Sequence, residues 1–119
     1  MLKPTLVSIA LLISSFQLPL VAAFTGKVHH YMVPSIPGAC GFTNTNAERV
    51  AALPTGHLAG GANCGRNIQV TYGGASVVAK VVEYCSACGT NDIDLSQVAF
   101  QVLAPLSVGV IHGVNWNFI

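Results

Sequence analysis

The chain has 119 residues, 52% of them hydrophobic, and carries five Lys and Arg against four Asp and Glu, a formal net charge of +1 with histidines neutral. A chain this close to neutrality, with no basic cluster, offers no electrostatic footprint for nucleic acid or for an anionic membrane surface. Its length suits one small domain with a modest core, so covalent staples are expected.

The first 23 residues read as a secretory signal peptide. Lys3 supplies a positive start, apolar residues run from Leu6 to Ile13 and again from Phe16 to Leu20, and Val21-Ala22-Ala23 forms a small-residue cleavage site. Pro4, Pro19, Ser14, Ser15 and Gln17 interrupt the run, which suits a leader better than the roughly 20 apolar residues of a spanning helix. The expectation is a secreted, extracellular protein with a single domain over 24–119 and no membrane attachment after cleavage.

Beyond the leader, Gly26–Val33 (GKVHHYMV) is rich in β-branched and aromatic residues and reads as a strand. Asn46–Leu53 (NAERVAAL) suggests a short helix, with Asn46 as cap and Pro54 as stop. The clearest signal is Asn67–Tyr84. Ile68, Val70 and Tyr72 alternate with polar residues, Gly73–Gly74 forms a two-residue turn, and Val77, Ala79 and Val81 resume the alternation. Ser96–Leu103 reads as a helix with Val98, Ala99, Val102 and Leu103 on one face, Asp94 or Ser96 at its N-cap and Pro105 beyond its end. Gly109–Ile119 gives a last strand. Many short strands, few helices and closely spaced turns point to a small β-barrel.

Four cysteines, Cys40, Cys64, Cys85 and Cys88, lie after the leader. An even number behind a signal peptide reads as disulfides, with three pairings open. A redox dithiol at Cys85-Ser86-Ala87-Cys88 would want an intracellular setting and a βαβ pattern. A zinc site would want two further ligands at matching spacing, which neither Cys40, Cys64 nor the histidines supply. No metal and no cofactor is expected.

The ordered series GACG, NCGRNIQVTYGG, VVEYCSACGTNDIDLSQVAFQVL and VGVIHGVNWNFI resembles the rare lipoprotein A-like double-psi β-barrels, a group that includes barwin- and expansin-like secreted proteins of fungal type and papain-inhibitor-like members. The likeness covers Gly26–Ile119. It implies a mainly β fold: a six-stranded double-psi β-barrel with one or two short helices, disulfide-stapled, with a shallow groove on one side. It also implies the pairing Cys40–Cys64 and Cys85–Cys88. In expansin-like relatives the aspartate of DLS, here Asp94, lies in the groove and is the residue most tied to activity. A second acid, matched in charge by Glu83, ends the strand before the cysteine, and Tyr84 stands where a basic residue is usual. His29, His30 and Tyr31 occupy the stretch of the first strand where relatives often carry tyrosines.

The candidate ligand-binding residues are therefore Asp94, Asp92, Glu83, Tyr84, Tyr31 and His30, with Asp94 also the one catalytic candidate. Alternation across Asp92-Ile93-Asp94-Leu95 puts both acids on one side and both apolar residues on the core side. The proximity of the following helix is expected to favour ionised Asp94 and to leave Asp92 more solvated. Glu83 is free to pair with Arg66 or Lys80, His57 reads as a surface-loop residue, and His112 and Trp116 read as core. Inverting glycoside hydrolysis needs two carboxylates about 6.5–9.5 Å apart, and the sequence offers no second partner for Asp94. Three functions follow: a non-hydrolysing binder of cell-wall polysaccharide, an inhibitor of papain-like cysteine peptidases, and a vestigial glycoside hydrolase. The partner is a wall polysaccharide or a secreted cysteine peptidase, met by a monomer.

Overall fold

The structure, a computed structural model, describes residues 23–119. The signal-peptide segment lies outside the described residues. Six strands form a closed barrel: β1 (Phe24–Tyr31), β2 (Val50–Leu53), β3 (Asn67–Tyr72), β4 (Ala75–Tyr84), β5 (Ile93–Ser96) and β6 (Val110–Phe118), in the spatial order β1-β5-β2-β4-β3-β6. Four neighbouring pairs are antiparallel, and two, β1–β5 and β2–β4, are parallel. Parallel neighbours cannot be joined by a tight turn, so the chain crosses the ends of the barrel to make them. Closure leaves no sheet edge to pair with another chain.

The β3–β4 hairpin forms as its alternation requires. Ile68, Val70, Val77, Ala79 and Val81 are buried, and Gln69, Thr71, Ser76 and Val78 are exposed. Gly73 and Gly74 both have positive φ, 57° and 85°, as a type I′ turn demands. Val28, Ile93, Leu95, Ile111, Val114 and Trp116 complete the interior, and Phe100 plugs it from the helix that follows β5.

That helix, α2 (Gln97–Leu103), buries Ala99 and Phe100, while Val102 is exposed. The apolar face is thus one residue round from the expected Val98–Val102 stripe, because the wide Phe100 ring fills the barrel mouth. Asp94 is not its cap. It lies within β5, two positions before Ser96, which holds the N-cap position without capping by its side chain. Ser96 Oγ instead donates to Glu48 O (2.7 Å) and accepts from Val50 N (3.1 Å), bridging β5 to the start of β2.

The expected helix over 46–53 does not form. Val50–Leu53 is strand β2, fully buried and flanked by β4 and β5. A strand covered on both faces reads as a continuous apolar run, and periodicity cannot separate it from a buried helical turn. The local sequence does begin a helix-like turn. Glu48 reaches back to Thr45 N (2.7 Å) and Asn44 Nδ2 (3.0 Å), as in a capping box, before the chain leaves for the sheet. Asn46 Oδ1 accepts from Val33 N. The short helix comes one proline later, as α1 (Thr55–Leu58), with Pro54 at its N-cap position.

Disulfides join Cys40 to Cys64 and Cys85 to Cys88, as the resemblance implies. The first ties the long loop after β1 to the turn before β3. The second closes the short turn between β4 and β5.

Candidate functional site

The Cys85–Asp92 turn is fixed by polar contacts on several sides. Asp92 Oδ1 accepts from Lys27 N (2.8 Å) and Oδ2 from Gly89 N (3.3 Å). Asn91 O accepts from Trp116 Nε1 (2.9 Å), and the Asn91 amide oxygen meets His57 Nε2 (2.9 Å). Gly26 is required where it stands, because a Cβ there would overlap Asn91 O. His57 is half-buried, its ring 4.2 Å from Phe24 and 4.9 Å from Trp116 between centroids, so it is a packed wall residue and not a loop tip. Trp116 is buried in the core as expected, whereas His112 is exposed.

With the turn held, β5 presents Asp94. Ile93 and Leu95 point inward at 0% exposure, and Asp92 and Asp94 lie on the outer side, as alternation requires. The parallel β1–β5 register sets His29 directly beside Asp94. His29 Nδ1 stands 3.9 Å from Asp94 Oδ1, an ion pair when the imidazole is protonated. Asp94 lines a cleft of about 270 Å³ with His29, His30, Cys85, Ala87 and Cys88. Cys85 Sγ is 3.4 Å from Asp94 Oδ2. A disulfide sulfur carries no proton, so this is a packing contact rather than a hydrogen bond. The same cysteines and carboxylate gather within 4.8 Å, but sulfurs joined to each other do not ligate a metal.

A second cleft, of about 500 Å³, lies on the other side of the Cys85–Cys88 turn and shares Cys88 with the first. Pro54, Thr55, His57, Thr90 and Asn91 are among its walls.

Of the remaining candidates, Glu83 does not pair with Arg66 or Lys80. Its Oε1 accepts from Ala39 N (2.7 Å) and Tyr84 N (3.0 Å), over a Gly38 that leaves room for the carboxylate. Lys80 lies instead 3.9 Å over the Phe42 ring and Arg66 4.4 Å over Phe118. Tyr31 and Glu83 share a narrow crevice with Val33, Ile36 and Phe42. Tyr84 is exposed, its hydroxyl accepting from Thr55 Oγ1 (3.1 Å). His30 donates to Leu106 O (3.2 Å) and packs edge-on against Phe100, 4.8 Å between centroids. The barrel therefore brings Asp94 and His30 into one cleft, sets Tyr31 and Glu83 beside it, and uses Asp92 to hold the backbone. His29 and His57 join the cleft walls. The register of β1 against β5 marks His29, and only the folded turn marks His57.

Burial raises the Asp94 carboxyl above its ordinary range, opposed by His29 and His30. The expectation that the helix favours ionised Asp94 does not hold: Asp94 lies in a strand ahead of the helix, where desolvation outweighs any dipole. Tyr31 is raised strongly, first by burial and then by the charges of Glu83 and Asp94, and its buried hydroxyl has no hydrogen-bond partner among the described residues.

No family model matches the chain. It is 33% identical over 113 residues to the papain inhibitor of Streptomyces mobaraensis, a match covering 89% of this chain and 78% of that protein. The solved structure of the Streptomyces papain inhibitor superposes with a TM-score of 0.74 at 31% identity, over 87% of this chain and 99% of that one. The chain belongs to this family of double-psi β-barrels. Allergen Asp f 7 of Aspergillus fumigatus is 41% identical over 85 residues, covering 71% of this chain, which spans 31% of the allergen's length. A Clavibacter michiganensis expansin solved in complex with cellohexaose shares the barrel, with a TM-score of 0.74 at 21% identity over 82% of this chain and 50% of that one.

Proposed function

We propose that this is a secreted protein of one barrel domain that binds a neutral cell-wall polysaccharide along the Asp94 cleft without hydrolysing it. The observation that carries the reading is the employment of the four acids. Glu48 holds the Asn44–Thr45 turn, Glu83 holds the Ala39 loop, and Asp92 holds Lys27 and Gly89. Only Asp94 faces an open cleft without a backbone partner. Hydrolysis of a glycoside by the two-carboxylate route needs a second free acid at a set distance, so this inventory favours binding and counts against the vestigial hydrolase. A half-buried carboxyl beside an imidazole exchanges hydrogen bonds with sugar hydroxyls in either protonation state. The two clefts adjoin at Cys88, which suits a ligand longer than either one. An expansin that shares the barrel over half of its length is solved in complex with cellohexaose, which supports a polysaccharide as the class of partner.

Pull-down on cellulose, chitin and β-glucan, with reducing-sugar release measured in parallel, tests this reading. The expected result is binding to at least one polymer, lost in Asp94→Asn, with no sugar released. Binding that survives Asp94→Asn, or sugar release by the parent, overturns it.

A second reading, inhibition of a papain-like cysteine peptidase, is favoured by two observations. The likeness to the papain inhibitor extends over 99% of its solved chain. The loop after β1 exposes Met32 (69%) and, between Pro34 and Pro37, Ile36 (64%), and is pinned by the Asn46–Val33 and Glu83–Ala39 hydrogen bonds and the Cys40–Cys64 bridge. A stiff apolar loop loses little entropy on entering a cleft. In this reading residual papain activity falls on adding the protein, and Met32→Ser with Ile36→Ser relieves the inhibition while Asp94→Asn does not.

A further inference from the structure

The Asp94 cleft has a disulfide in its wall. Cys85 is buried and Cys88 is half-buried, so a nucleophile entering the cleft meets Cys88 first. Behind it, Cys85 Sγ lies against Asp94 Oδ2 at 3.4 Å. The bridge adds modestly to stability: it spans three positions against 24 for Cys40–Cys64, and the stabilisation from closing a loop falls as the loop shortens. The turn it closes is already held by Trp116, His57 and Asp92. Thiol–disulfide exchange, by contrast, needs an accessible sulfur to attack and a departing sulfur that is readily stabilised. Both are present.

We propose that Cys85–Cys88 is a thiol-exchange site, with Cys88 the sulfur attacked, Cys85 the sulfur that departs and Asp94 the acid that protonates it. The reactant class is a reduced thiol, small or carried on a polypeptide. A thiolate attacks Cys88 Sγ, a new S–S bond forms, and the Cys85–Cys88 bond breaks with its electron pair leaving on Cys85. The Asp94 carboxyl gives its proton to Cys85 and becomes carboxylate. A second thiolate attacks the sulfur bound to Cys88, releasing the external disulfide and a Cys88 thiolate that takes a proton from water, as Asp94 does in turn. Two thiols are oxidised and one protein disulfide is reduced. Burial raises the carboxyl and so favours its protonated, proton-donating form. The groups facing it are His29 and His30 from β1, with Tyr31 and Glu83 at the neighbouring crevice. The charges of His29 and His30 oppose that rise.

Reduced glutathione is the probe. The native full chain is treated in weakly acidic buffer, quenched by alkylation at intervals and mapped by mass spectrometry. The expected result is a glutathione adduct on Cys88 and opening of Cys85–Cys88 at least about tenfold faster than Cys40–Cys64, with Asp94→Asn slowing the first about tenfold or more. The Cys40–Cys64 rate in the same variant should be unchanged, which separates loss of the acid from loosening of the barrel. Equal rates for the two bridges, an adduct on Cys85, no reaction at either bridge, or no slowing in Asp94→Asn overturns the proposal.

Discussion

The β3–β4 hairpin and the Cys85–Asp92 turn are consecutive in the chain, yet they are held in different ways. The hairpin rests on apolar burial distributed over Ile68, Val70, Val77, Ala79 and Val81, and it follows strand alternation from Asn67 to Val81, with Val82 buried as well. The stretch beyond it rests on a few directional contacts: one disulfide, the Trp116 indole, the His57–Asn91 pair and two backbone amides on Asp92. Distributed burial tolerates loss of any one member. A turn held by single bonds does not, and it holds a half-buried carboxyl open to solvent where a core would have excluded it. Regularity built the scaffold, and departures from it built the cleft.

Trp116 belongs to both regions, so its loss separates them. It faces Val70 across the β3–β6 pairing and clamps Asn91 O. Trp116→Ala removes a large buried ring and is expected to cost about 3–5 kcal/mol. Trp116→Phe keeps most of the packing and deletes the donor. In that variant amide hydrogen exchange should accelerate at 88–92 while 67–72 stays protected. Uniform acceleration in both segments would show that the turn has no independent hold.

This division also explains what the sequence revealed. Alternation and Gly73–Gly74 disclosed the hairpin, and the same period in Asp92–Leu95 placed both aspartates outside. Val50–Leu53 escaped because a strand buried on both faces has no period of its own, and because Thr45 and Glu48 locally imitate a helix start. Phe100 was overlooked as the plug because the smaller apolar residues of α2 form an apparent stripe, while the barrel mouth selects for ring size. Asp94 was legible as a site residue only through resemblance; its half-buried state depends on His29 and the Cys85–Cys88 turn, which are distant in sequence or identified by pairing. The pairing of the four cysteines was likewise open from the residues alone.

The next largest effect concerns the staples. Chain entropy assigns about 3–4 kcal/mol to the Cys40–Cys64 bridge and about 2 kcal/mol to the shorter one. The double variant Cys40→Ala with Cys64→Ala should therefore melt well below Cys85→Ala with Cys88→Ala in calorimetry. The reverse order would mean that the short turn, not the long loop, limits the fold. Smaller again is Asp92→Ala, which leaves Lys27 N and Gly89 N without their acceptor and is expected to cost about 1–3 kcal/mol. Val78→Thr, on the exposed face of the hairpin, should shift chemical denaturation by no more than about 0.5 kcal/mol; a larger change would place the distributed burial in doubt.

Asp94→Asn has the smallest effect on melting and the most specific signature. A carboxyl raised by burial binds its proton more tightly in the folded state than in the unfolded chain. Between its ordinary value of 3.8 and the raised one, the native state holds more protons, so stability falls as pH rises through that window. Below the window the carboxyl is neutral in both states and the strain is absent. Asparagine has nearly the same shape and does not titrate, so the variant should match the parent in acid and gain on it as pH rises to neutrality. Melting temperatures of both proteins across that range give the difference directly. A variant that matches the parent in acid but falls below it as pH rises would mean that His29 holds the carboxylate by charge, with pairing outweighing desolvation at the cleft. A flat difference would mean that the two balance. Only the first outcome fits a carboxyl kept under strain on the outer side of an otherwise apolar barrel, where a ligand hydroxyl or a departing sulfur would relieve it.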